Sequence, residues 1–160
     1  MNKYRQALKN YTTTVAPEKI LKDIENIILD FGGTGIIWDY DSERKISGLM
    51  FKIEVDGATR LVNVPLLVGK TKGVLEKQKV IPKRDTWSRY YEQQTAKDWD
   101  LAYRVTLANI RDWLDAQLAI YATEMFEIPQ IFLPYLADQN GVSLYDKLKS
   151  NNYQIGYNND

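Results

Sequence analysis

The spacing of hydrophobic and polar positions changes along the chain, and each spacing predicts one kind of element. Across residues 20–31, apolar side chains recur at every third or fourth position, which is typical of a helix with one buried face. Pro17 suits the first turn of that helix, and Gly32 and Gly33 favour its end, because glycine tolerates the left-handed conformation found there. The pattern therefore predicts a first helix of about four turns.

Strand patterns lie before and after this helix. The run YTTTV at residues 11–15 is β-branched and aromatic, and it predicts a first strand. Residues 35–40 predict a second strand, and residues 46–55 alternate apolar with polar side chains, as a strand with one buried face does. An Asp-Gly pair then signals a hairpin, and the alternation returns across residues 59–68 as the fourth strand.

The C-terminal half of the chain contains a second helical pattern. From Trp99 to Met125, apolar residues recur at spacings of three or four, which predicts a helix of about seven turns. Residues 69–84, between the last strand and this helix, show no clear periodicity and predict a mobile loop. Residues 150–160 are polar and predict a C-terminal tail.

The predicted order is strand-helix-strand-strand-strand-helix, which belongs to the α+β class. An antiparallel four-stranded sheet that carries both helices on one face would bury the apolar sides of all these elements in two layers. A chain of 160 residues suffices for one core, so we expect a single domain over residues 1–160.

The sequence contains no histidine and no cysteine. This excludes from a monomer the nucleophilic triads that need histidine, zinc sites built from His and Cys, His-ligated haem, and disulfide frameworks. Carboxylates, lysine, arginine and tyrosine remain for chemistry. We therefore favour a binding protein over an enzyme, and we expect no cofactor, no bound metal and no catalytic residue.

No apolar run approaches the roughly 20 residues that span a bilayer, and the N-terminal residues lack the apolar core of a signal peptide. We therefore expect a cytoplasmic protein without a membrane partner.

The formal net charge is zero, but the charges are distributed unevenly. Residues 69–84 contain six basic side chains and one acidic side chain, whereas residues 112–146 contain six acidic side chains and no lysine or arginine. Such runs are either solvated faces or surfaces for charged partners. The basic run suits a phosphate-rich partner.

Aromatic residues follow the basic run closely. Cations that track phosphates beside rings that stack on unpaired bases are typical of single-stranded nucleic-acid binding, although the same rings also suit packing at a helix entry. Arg104 and Arg111 share one face of the long helix, where they either pair with Asp100 and Asp115 or face a partner. The candidate nucleic-acid-binding residues are Lys70, Lys72, Lys77, Lys79, Lys83, Arg84, Trp87, Arg89, Arg104 and Arg111.

Two weaker motifs suggest other chemistry. The tripeptide at residues 69–71 imitates the end of a phosphate-binding loop, but Val64 stands where that loop requires its first glycine, and no clear helix is predicted to follow. The alternating carboxylates at residues 39–43 imitate the start of a calcium loop, but Arg44 stands where that loop needs glycine, and a hairpin turn explains the spacing better. A magnesium site would need Asp39, Asp41 and a distant carboxylate such as Asp98 or Asp100, and nothing in the sequence singles it out.

Residues 102–136, together with residues 11–33, resemble a family of short proteins encoded by tailed bacteriophages. That family has a strand of type Y-T-T-x-V before its first helix, then D-W-x-x-A-Q-L in a later helix and an F-L-P-Y segment. The matching positions include Asp112, Trp113, Gln117 and residues 132–135. The resemblance implies a phage setting and supplies no catalytic residue.

These observations leave several functions open. The leading hypothesis is a phage-encoded accessory protein, without enzymatic activity, that binds nucleic acid and prefers single strands. The alternative is a protein-interaction module that inhibits a host defence or metabolic complex through the acidic long helix and the apolar segment 131–136. Self-association through that segment is a further partner class, and a magnesium-dependent nuclease is the enzymatic outsider.

Overall fold

A computed structural model describes residues 7–83 and 89–154, and for residues 89–92 it describes the backbone without the side chains. Within these ranges the helices are α1 (Pro17–Asp30), α2 (Val68–Lys77), α3 (Arg89–Ala122), α4 (Ile128–Phe132) and α5 (Leu144–Ser150), and the strands are β1 (Thr34–Tyr40), β2 (Ile46–Val55), β3 (Ala58–Pro65) and β4 (Leu136–Ala137). A short 3-10 turn joins α4 to β4. The α+β class is therefore confirmed.

The strands form one antiparallel sheet in the order β1-β2-β3-β4. Alternation along β2 buries Leu49, Phe51 and Ile53 and exposes Lys52 and Glu54, as the sequence predicts. The β2–β3 hairpin turns at Asp56 and Gly57, whose φ angles are 51° and 73°. Positive φ at both positions is typical of the turn that matches the twist of a hairpin.

The chain divides into two compact units, each built from two separate stretches. Unit 1 comprises Met1–Ile27 and Leu66–Ala116, and unit 2 comprises Ile28–Pro65 and Gln117–Asp160. No helix of the described residues is long and apolar enough to cross a membrane.

The core of unit 2 contains three phenylalanine rings. Phe132 meets Phe31 and Phe51 edge-to-face, with ring centroids 5.4 Å and 5.5 Å apart. In unit 1, Leu75 of α2 packs with Ala102 and Val105 of α3. The hydroxyls of Thr71 and Thr106 are hydrogen-bonded at 2.7 Å and tie the same two helices together.

Two predicted elements are wrong. Residues 11–15 form no strand, because the chain turns there through hydrogen bonds from Tyr11 N–H to Leu8 C=O and from Thr13 N–H to Asn10 C=O. The sheet still has four strands, because β4 pairs with β3 and takes the place of the strand predicted at residues 11–15. A β-branched run predicts a strand only where a neighbouring strand can pair with it.

The predicted mobile loop at residues 69–84 is also wrong over most of its length, since α2 occupies its first part. Two glycines weaken the helical signal of this segment, and the helix is stabilised by burial of Leu75 rather than by a regular apolar stripe. The tail prediction lies partly outside the described residues, because α5 ends at Ser150 and the description ends at Gln154.

The predicted apolar contact segment 131–136 is divided between the core and the surface. Phe132 is fully buried, whereas Leu133 is 49% exposed. The segment is therefore not one continuous docking patch, because the ring of Phe132 in α4 is buried in the core. Exposed apolar side chains lie instead at Met125 and Phe126, which are 68% and 46% exposed.

Candidate nucleic-acid interface

Helix α2 presents lysines from its first to its last turn. Lys70 and Lys77 are seven residues apart, hence on one helical face, and both are exposed. Lys79 and Lys83 follow the helix and are exposed as well. Lys70 and Lys77 lie roughly 10 Å apart along the axis of α2 at about 1.5 Å per residue. A strand that lies along α2 therefore passes both cations.

The C-terminus of α2 ends in a Schellman motif. Lys79 N–H donates to Glu76 C=O, and Val80 N–H donates to Leu75 C=O at 3.0 Å. Lys79 occupies the left-handed position of this motif with φ 59°. Glycine is the usual residue there, because a side chain in this conformation costs about 1–2 kcal/mol. The chain has Lys79 at a position where glycine would make the folded state more stable.

Two predicted lysines are engaged within the protein. Lys72 forms an ion pair with Glu76, and its Nζ lies 5.3 Å from the centroid of the Trp99 ring. Lys77 takes part in a further interaction within the protein. By contrast, Lys70, Lys79 and Lys83 form no ion pair in the part of the chain that the structure describes.

Arg111 belongs to a charge cluster rather than to an open surface. Its Nε and one terminal nitrogen donate to Asp112 at 2.9 Å and 2.7 Å, and its other terminal nitrogen lies 3.9 Å from Asp23. The sequence suggested Asp115 as the partner of Arg111, but the structure brings Asp112 to it. These carboxylates compensate the charge of the Arg111 guanidinium within unit 1.

Arg104 is half-buried, and its Nε is enclosed without a hydrogen-bond partner among the described residues. The candidate residues Arg84 and Trp87 lie outside the described residues. Arg89 begins α3, and its side chain is also outside the description.

Trp99 is a candidate nucleic-acid-binding residue that the sequence pattern assigned to the core. Its spacing assigned it to the apolar stripe of the long helix, yet the ring is 36% exposed. It lies beside the first turn of α2, where a Cβ added at Gly69 would be 3.7 Å from Trp99 Cη2. The charged neighbours of Trp99 give no clear signal for its exposure, because Asp98 is buried whereas Asp100 is exposed. We call Lys70, Lys79, Lys83 and Trp99 the α2 surface.

The tripeptide at residues 69–71 does open a helix, contrary to the sequence prediction. The hydroxyl of Thr71 is nevertheless occupied by Thr106, so it is not presented to a metal-bound phosphate. Among the described residues, no three Asp or Glu side chains are grouped to hold a metal ion.

The two units differ in formal charge. Unit 1 contains 15 Lys and Arg against 10 Asp and Glu, which gives +5, and unit 2 contains 6 against 11, which gives −5. The α2 surface therefore belongs to a basic unit, and the field of that unit attracts anions.

Asp112 is the most perturbed carboxyl of unit 1. Burial by itself would raise its pKa, but hydrogen bonds from Asn10, Lys9 and Arg111 lower the pKa to about 2. A carboxyl with a lowered folded pKa contributes stability that is present above its unfolded pKa of about 3.9 and lost as the pH falls through the folded pKa. We therefore expect this contribution to disappear between about pH 4 and about pH 2.

Urea unfolding at several pH values measures this contribution. Asp112→Asn should lose about 1–3 kcal/mol of unfolding free energy at neutral pH, because charge-assisted hydrogen bonds are removed. The variant should also lose less stability than the wild type on acidification. Asp115→Asn, an exposed carboxylate on the same helix, is the control. An unchanged acid dependence in Asp112→Asn would contradict the assignment.

Comparisons with protein families, with curated proteins and with solved structures find no match for this chain. Its function is therefore inferred from the residues themselves.

Proposed function

We propose that this chain is a non-enzymatic binding protein that holds nucleic acid, preferentially single-stranded, on the α2 surface. The observation that carries the proposal is the set of uncompensated cations: Lys70, Lys79 and Lys83 are exposed and make no ion pair in the described ranges. Phosphates attract such cations because each contact releases condensed counterions. Trp99 adds a partly exposed ring on which an unpaired base can stack.

The proposed setting is the cytoplasm of a bacterial host during phage infection, and the resemblance to tailed-phage proteins supports it. We assign no catalytic residue and no cofactor.

Fluorescence anisotropy of a labelled oligothymidylate tests this proposal. Three phosphate contacts on a single strand give a salt slope of about −2, so wild-type affinity should fall about 15- to 20-fold between about 50 and about 200 mM salt. The Lys70→Gln/Lys79→Gln/Lys83→Gln variant should lose most of this slope and bind at least about 10-fold more weakly at low salt.

Two controls separate binding from folding. Lys19→Gln/Lys52→Gln/Lys149→Gln removes the same charge from exposed positions elsewhere and should retain most of the affinity. Lys79→Gly removes one cation but relieves the left-handed strain, so it should weaken binding without loss of stability. No binding of the wild type at low salt, or equal losses in both triple variants, would refute the proposal.

A protein-interaction module is the second candidate function. One observation favours it: Met125 and Phe126 are exposed in unit 2, outside the basic unit. Exposed apolar side chains that lie close together are typical of protein contacts.

A further inference from the structure

Unit 2 contains a groove of about 600 Å³ between the β2–β3 hairpin and the chain that follows α3. Glu54, Val55 and Asp56 line it from the hairpin side, and the end of α3 with most of the residues that follow up to Pro129 lines it from the other side. All residues from 121 to 127 are exposed. The groove is therefore open to a partner.

Two aromatic rings give the groove an apolar surface. Tyr121 is 37% exposed and Phe126 is 46% exposed, and both line the groove. Aromatic side chains in such positions bury much area at low entropic cost when a partner covers them. Met125, which is 68% exposed, extends the apolar surface beside the groove.

The charge of the groove is acidic throughout. Glu54, Asp56, Glu124 and Glu127 line it, and among the residues that the structure describes no lysine or arginine does. In the described part of the chain, none of these four carboxylates forms an ion pair. The surrounding unit has the same sign, at −5. This lining is complementary to a ligand that carries positive charge and apolar surface.

Glu124 lies in the left-handed backbone region at the end of α3. Glu124 follows α3 with φ 58°, and its N–H donates to Tyr121 C=O at 2.9 Å, which is the arrangement of a left-handed helix end. Glycine is preferred at such a position. Glu124 occupies this position instead, and its side chain lines the groove.

We infer that this groove binds a segment of a partner protein rich in lysine and arginine. Long basic side chains lay their methylene stems on apolar surface and end in a cation, so they match rings flanked by carboxylates. Arginine also stacks on aromatic faces. This inference rests on the second candidate function and is independent of the α2 surface.

Anisotropy with a labelled ten-residue peptide of alternating arginine and leucine tests the inference. The wild type should bind this peptide and should not bind the matching peptide of glutamate and leucine. Glu54→Gln/Glu124→Gln should weaken binding at least about 10-fold, and Phe126→Ala about 5-fold or more. Asp30→Asn/Glu43→Gln removes the same charge from exposed positions of unit 2 outside the groove and should bind as the wild type does.

Glu124→Gly keeps the result interpretable if the double variant is unstable. It removes one groove carboxylate while relieving the left-handed strain, so it should fold as well as the wild type and bind the basic peptide more weakly. Equal binding of both peptides, no binding of the basic peptide, or unchanged affinity in both groove variants would overturn the inference.

One experiment distinguishes failure of this inference from failure of the second candidate function. If Phe126→Ala abolishes capture of a host protein from nuclease-treated lysate while Glu54→Gln/Glu124→Gln leaves that capture intact, unit 2 still binds protein but not through basic side chains. That result overturns the basic-peptide inference and retains the protein-interaction function.

Discussion

Replacement of Phe132 by alanine is expected to lower the free energy of unfolding by about 3–5 kcal/mol. Phe132 is fully buried, and it makes edge-to-face contacts with Phe31 and Phe51 at centroid distances of 5.4 Å and 5.5 Å. Alanine removes the transfer free energy of the ring, leaves a cavity, and deletes two aromatic pairs worth about 0.5–1.5 kcal/mol each. The loss should therefore lie at the upper end for a core substitution.

Urea unfolding followed by circular dichroism measures this loss. Leu133→Ala is the matched control, because the adjacent apolar side chain is 49% exposed and should cost less than about 1 kcal/mol. If the two variants lose similar stability, Phe132 is not the centre of the unit 2 core. A change in oligonucleotide affinity is not expected from Phe132→Ala in the folded state.

Replacement of Leu75 by alanine is expected to lower the free energy of unfolding by about 2–5 kcal/mol and to weaken nucleic-acid binding as well. Leu75 is fully buried and packs with Ile81, Ala102 and Val105. Val80, the residue after Lys79, packs on the same cluster. Because this contact holds the helix that carries Lys70, its loss should free α2 from α3 before the rest of unit 1 unfolds.

Amide hydrogen exchange shows whether α2 is released. Protection should fall across α2 in Leu75→Ala more than across the middle of α3. Leu67→Ala, an apolar residue beside α2 that is 49% exposed, should leave protection nearly unchanged. Uniform loss of protection through unit 1, with no preference for α2, would contradict a helix held mainly by Leu75.

Sequence patterns correctly predicted the helices and strands whose structure depends mainly on their own residues. Strand β2 begins and ends where the alternation of residues 46–55 places it, and α1 begins at Pro17 and ends just before Gly32. Alternation and end signals act within the element itself, so the sequence contains them. Helix α2 and the pairing of β4 with β3 depend on contacts with distant residues, which no local pattern reports.

The candidate site shows the same division. Lysine positions are visible in the sequence, but which lysines are compensated is decided by the fold. Glu76 lies one turn from Lys72 and forms an ion pair with it, whereas the side chain of Lys79, three residues after Glu76, forms no ion pair among the described residues. Arg111 pairs with Asp112 in a cluster that Lys9 joins from about a hundred residues away. The exposure of Trp99 could not be predicted either, because the spacing of apolar residues along a long helix does not show which of them the rest of the protein buries.

Titration of the isotope-labelled protein with an oligothymidylate at low salt, followed by nuclear magnetic resonance, tests the central claim most directly. The claim predicts that the Trp99 indole signal and the amide signals of Lys70 and Lys79 shift together, and that added salt reverses the shifts. Absence of any shift at low salt, or shifts confined to unit 2, would contradict it.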